Sequence, residues 1–105
     1  MNTATNLTSP LYATWSLEEQ KTFRDWLHGL LKSEIVTVTF IKKDSTERIM
    51  RCTLHENKLP SVDRRDERQT SNTAISVWDL DIEAWRSFRF DSIRTIQFIL
   101  GEIHG

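Results

Sequence analysis

At Ser33 the apolar repeat of this chain changes from a spacing of three and four residues to a spacing of two. That change sets where a helix stops and a sheet begins. Upstream of it, Phe23, Trp26, Leu27, Leu30 and Leu31 form one stripe, and Lys21, Arg24, Asp25, His28 and Lys32 occupy the opposite face. Ser16 followed by Glu19 is a capping box, and Glu18 and Glu19 suit the positive end of a helix dipole. The spacing predicts a helix over residues 16–32. Downstream, Val36, Val38 and Phe40 alternate with Thr37 and Thr39, which predicts a half-buried strand over 35–41. A polar turn at 42–46 leads to a second strand, with Met50, Cys52 and Leu54 on one face and Ile49, Arg51 and Thr53 on the other. Strand signals return at 74–80, 85–90 and 94–100, linked by an acidic turn at 81–84 and a corner at Asp91 and Ser92.

One helix followed by five short antiparallel strands leaves costly open edges unless the sheet bends and closes. The economical arrangement is a small, strongly bent, mainly β barrel with the helix across one open end. Its expected core is Val36, Val38, Phe40, Met50, Cys52, Leu54, Val77, Phe88, Ile96 and Phe98. Residues 1–14 are rich in Thr and Asn, contain Pro10 and show no periodicity, so they are expected to be a mobile leader. The domain is expected over 15–101, with a long polar connection at 56–73 and a frayed tail at 102–105. A net charge of −1, from 14 basic and 15 acidic residues, gives no bulk attraction to nucleic acid or membrane, so any polyanion site is a local patch. The single cysteine, Cys52, forms no internal disulfide and suits a reducing cytoplasm. No apolar run approaches the ~20 residues that span a bilayer, so no membrane partner is expected.

Signals for an enzyme are thin. Cys52 and His55 lie three apart on a strand, on opposite faces, and cannot form a local nucleophile–base pair. His28, His55 and His104 stand on separate elements without metal-ligand spacing, and three glycines cannot supply a phosphate loop. Asp79, Asp81 and Glu83 read better as turn residues than as a metal site. No catalysis, metal or cofactor is expected. Two features stand out. Trp85, Arg86, Arg89 and Arg94, with Trp78 nearby, combine rings with guanidinium groups, which can stack a base and bind its phosphates. The competing reading is structural: Phe88 and Phe90 fill the barrel, a tryptophan contacts the helix, and the arginines pair with Asp79, Asp81 and Asp91. The second feature is Arg64, Arg65 and Arg68 in the long connection, where Asp63, Asp66 and Glu67 nearly cancel their charge.

The segment WRSFRFDSI resembles the end of WYL domains, small Sm-like barrels of bacterial transcription regulators. VWDLD is similar to the strand before that segment, and TVTFIKKDSTERIMRCTLHENKLP to the first hairpin. The likeness is nearer to short, stand-alone, phage-encoded relatives and runs over about residues 35 to 98. Arg86, Phe88, Arg89, Asp91 and Ile93 match the terminal motif, Ser92 stands at its second basic position, and Thr73, Ala74 and Ile75 replace the Trp-Tyr-Leu triplet. The resemblance implies a five-stranded antiparallel Sm-like, SH3-like barrel behind the helix. It implies a non-enzymatic phage accessory or regulatory module that binds single-stranded nucleic acid or a nucleotide through Trp85, Arg86, Arg89 and Arg94, helped by Arg64, Arg65 and Arg68. The alternative is a protein-interaction module that docks on a host protein and modulates or inhibits it. Sm-type edges pair between subunits, so a homo-oligomer, most simply a dimer, is expected through strand 85–90 or 94–100 or the exposed part of the helix stripe.

Overall fold

The computed structural model describes residues 4–8 (as backbone), 12–59 and 71–100. In chain order it contains β1 (Ala4–Thr8), a 3₁₀ turn (Tyr12–Thr14), α1 (Leu17–Ser33), β2 (Val36–Ile41), β3 (Glu47–Thr53), β4 (Ala74–Asp79), β5 (Ala84–Arg89), a second 3₁₀ turn (Phe90–Ser92) and β6 (Ile93–Ile99). The strands form one antiparallel sheet in the order β1-β6-β2-β3-β4-β5. One helix and five antiparallel strands therefore follow one another as the two periodicities predict.

Both halves of the capping box are made. The Glu19 amide donates to Ser16 Oγ at 3.1 Å, and the Ser16 amide donates to Glu19 Oε1 at 2.9 Å. At the other end, the helix is latched to the sheet. The Leu54 amide donates to the Leu31 carbonyl at 2.8 Å. The buried Thr53 hydroxyl lies 3.0 Å from the Leu31 carbonyl and 2.9 Å from that of Glu34, and it accepts the His55 amide at 3.0 Å. These bonds satisfy carbonyls that a helix C-terminus leaves without intrahelical donors. Leu27 and Leu31 enter the core, and Phe23 and Leu30 pack against it.

The sheet curls on itself. Where β2 meets β6, Thr39 pairs with Thr95 and Phe40 with Ile93, so Arg94 is an extra residue at a bulge that bends β6. β3 and β4 share only the pairs Cys52–Asp79 and Thr53–Trp78, which lets the β4–β5 hairpin swing over the core. The Phe88 ring of β5 then stacks on Phe40 of β2, centroids 5.3 Å apart. Of the expected core, every residue is buried except Phe98, which is half-buried and meets Trp26 edge-on at 6.3 Å.

The expected leader needs correcting. Ala4–Thr8 forms a strand on the outer side of β6, in register from Ala4–Ile99 to Thr8–Thr95. Tyr12 is buried, stacked on Phe90 at 6.0 Å, with its hydroxyl accepting from Arg24 at 2.9 Å and its carbonyl from Gln20 at 2.9 Å. A lone tyrosine in a polar stretch carries no period, so only tertiary packing reveals it. The expected tail at 102–105 and most of the long connection lie outside the described residues.

Candidate functional site

The hairpin between β2 and β3 is tightly built. The Lys42 amide donates to the Thr46 carbonyl at 2.8 Å, and the Ser45 amide to the Lys42 carbonyl at 2.9 Å. Ser45 takes a left-handed conformation, φ 71°, as a type I turn followed by a bulge requires. Asp44 pins the far side by accepting from the Thr46 amide at 3.0 Å. Held this way, the turn presents exposed Lys42 and Lys43 beside β5.

β5 is an edge strand, and its direction of hydrogen bonding can be read from one contact. The Phe90 amide donates to Thr73 across the hairpin at 3.0 Å, so the amides of Phe88 and Arg86 also face β4. The amides of Ser87 and Arg89, out of phase with them, face the open edge. Between this edge and the β2–β3 turn lies a cleft of about 260 Å³. Phe40 and Phe88 form its base, Lys42 and Lys43 one wall, and Arg86, Ser87 and Arg89 the other, with Arg48 alongside.

Two of its five cations are occupied. Arg89 forms a two-pronged pair with Asp91, Nε to Oδ1 at 3.0 Å and Nη2 to Oδ2 at 2.9 Å. The guanidinium holds the Asp91 carboxyl below the usual carboxylate range, mainly through the hydrogen bonding. Arg48 donates to Asp79 at 3.0 Å. Buried Asp79 also accepts the Asp81 and Ile82 amides, at 2.9 and 3.4 Å, and so organises the acidic turn. The side chains of Lys42, Lys43 and Arg86 make no hydrogen bond or ion pair among the described residues.

Of the residues singled out in the sequence, the cleft brings together Arg86 and Arg89. Trp85 does not line it: it is half-buried, packed against the core and set edge-on to Trp78 at 5.5 Å. Arg94 is exposed at the β6 bulge and does not line the cleft either. Arg64, Arg65 and Arg68 lie outside the described residues. Lys42, Lys43 and Arg48 were not anticipated. Their signal was the Lys42–Lys43 pair in a turn flanking Phe40, which becomes meaningful only when β5 folds back onto β2.

Cys52 is fully buried, its Sγ 3.5 Å from the Val36 carbonyl, and burial pushes the thiol far above its ordinary pKa. His55 faces a different neighbour: its Nδ1 accepts the Asn57 amide at 3.1 Å. Among the described residues, no group of three His, Cys, Asp or Glu side chains could hold a metal ion. Nor is any described helix long and apolar enough to cross a membrane.

No curated protein and no solved structure matches the chain. A family model does, described as WYL_2, Sm-like SH3 beta-barrel fold, over residues 24–94. The match begins inside α1, well before the hairpin, and ends at the β6 bulge, so β1 and Tyr12 lie outside it. It takes in both walls of the cleft and the strands from β2 to β5. With more than half of its length matched, over most of α1, all of β2 to β5 and the start of β6, the chain belongs to the WYL_2 family of Sm-like SH3 β-barrels.

Proposed function

We propose that this protein is a non-enzymatic regulatory module that binds single-stranded nucleic acid or a nucleotide-like ligand in the cleft between β5 and the β2–β3 turn. The observation that carries the reading is the set of three cations, Lys42, Lys43 and Arg86, that make no ion pair among the described residues and line one concave site on a chain whose net charge is only −1. Fixed phosphate-binding groups of this kind give affinity that salt weakens. The likeness to phage-encoded relatives of WYL domains supports a role as a phage accessory regulator in a host cytoplasm.

The test is fluorescence anisotropy with labelled 12-nucleotide RNA and DNA. Three phosphate contacts on a single strand predict a loss of roughly 15- to 20-fold in affinity between 50 and 200 mM salt. Arg86→Ala and Lys43→Ala should weaken binding and flatten the salt dependence, at unchanged melting temperature. Absence of binding below ~100 µM at 50 mM salt would overturn the reading. The second reading, docking on a host protein, would then lead. One observation favours it: Trp26 is 37% exposed beside Phe98, so part of the helix stripe faces outward.

A further inference from the structure

Resting on the nucleic-acid or nucleotide reading above, we infer that the cleft recognises a terminal phosphate, a phosphomonoester, rather than the internal diesters of a strand. The first argument is shape. Five cations line one cleft of about 260 Å³, smaller than the ~300–1,000 Å³ of sites that enclose a drug-sized molecule. A strand bound along its backbone needs a groove that tracks it, with cations spread over several nucleotides. Here they converge.

The second argument is charge. Asp79 and Asp91 each hold one arginine, whereas Lys42, Lys43 and Arg86 form no ion pair among the described residues, Lys42 having only the charge of Asp44 in its own turn nearby. An internal diester brings a single negative charge and two free oxygens. A terminal phosphate brings close to two charges near pH 7 and three acceptor oxygens. The third argument is the donor set. Arg86 offers a planar fork, the two lysines offer rotatable ammonium groups, and the edge of β5 directs the Ser87 and Arg89 amides away from β4. Donors from one strand and the turn facing it line a single cleft rather than an extended track.

The groups facing the site are Lys42, Lys43, Arg48, Arg86 and Arg89, with Asp44, Glu47, Asp79 and Asp91 on the same elements. No described histidine lines it. Asp44, bonded to Thr46, and Asp91, bonded to Arg89, both titrate below the usual carboxylate range. The phosphomonoester, with its second ionisation near pH 6, is therefore the group that changes charge between pH 7.5 and 5.5.

The experiment compares an eight-nucleotide RNA carrying a 5′-phosphate with the same RNA carrying a 5′-hydroxyl, and AMP with adenosine, by calorimetry at pH 7.5 and 5.5. The phosphorylated RNA should bind at least tenfold more tightly at pH 7.5, and the difference should shrink about fourfold at pH 5.5, where most of the dianion is lost. Arg86→Ala and Lys43→Ala should abolish the preference, while Arg51→Ala, an exposed residue outside the cleft, should keep it. Binding of AMP alone identifies a free nucleotide as the source, and preference for the phosphorylated RNA alone identifies a strand end; either supports the inference. Equal affinity for the two RNAs with no AMP binding overturns it and leaves the nucleic-acid reading standing. Failure of every probe overturns both.

Discussion

Thr53 shares the single proton of its hydroxyl between two carbonyls at the end of α1. It is fully buried between the Leu31 and Glu34 carbonyls. Thr53→Val keeps the shape and removes the donor, so it should cost about 2–3 kcal/mol in urea denaturation, with α1 losing amide protection at its last turn. A loss below about 0.5 kcal/mol would mean the latch carries little. Asp91 gives a prediction of opposite use. Its pair with Arg89 is exposed enough that Asp91→Asn should change stability by no more than about 1 kcal/mol. The same change frees the guanidinium, so affinity for single strands should rise and the salt slope steepen by about 0.7. Because the folded carboxyl is depressed, its contribution to stability is present above its unfolded pKa and is lost as pH falls through the lower folded value. Wild type and Asp91→Asn should therefore converge in stability in strong acid. At this scale the sequence revealed Arg86, Arg89 and the carboxylate that holds Arg89, because those residues lie within one short segment. Lys42, Lys43 and Arg48 reach the same cleft from another hairpin, and no local pattern encodes that meeting.

Elements were legible in proportion to how much of their stability comes from a repeating buried face. α1 and the five strands from β2 to β6 each show their period in the apolar residues, and even the short turn at Phe90–Ser92 was marked by Asp91 and Ser92. The segment before the helix was not. β1 is recognisable through its backbone ladder to β6, and Tyr12 through contacts with Trp15, Phe23 and Phe90, at 5.6, 5.7 and 6.0 Å, supplied by three other parts of the chain. Tyr12→Ala should consequently cost about 3 kcal/mol, near the values for removing a buried ring, whereas a mobile leader predicts almost none. Tyr12→Phe, which loses only the Arg24 bond, should cost about 1 kcal/mol. Thermal or urea unfolding of the two variants separates packing from hydrogen bonding.

For the whole molecule, β1 decides which edges of the sheet remain available. It covers the outer side of β6, so of the two strands expected to pair between subunits only β5 keeps an unpaired edge among the described residues. Of the surfaces expected to pair, that leaves β5 and the helix stripe, and a dimer through β5 would bring two sets of Arg86 and Arg89 together. Deleting residues 1–8 should uncover β6 and raise the mass seen by light scattering at tens of micromolar. No increase would show that the β6 edge does not drive association. The same strand also bears on the order of folding. β2 and β3 meet across a turn of a few residues, but Ala4 must find Ile99 across almost the entire chain. Closing so long a loop costs entropy before any contact is gained, so the β1 ladder belongs among the last events and the slowest. During that interval the barrel is assembled with its β6 edge still exposed to neighbouring chains. Refolding yield should thus fall with protein concentration, and the newly made molecule is most vulnerable to misassembly just before its first strand settles.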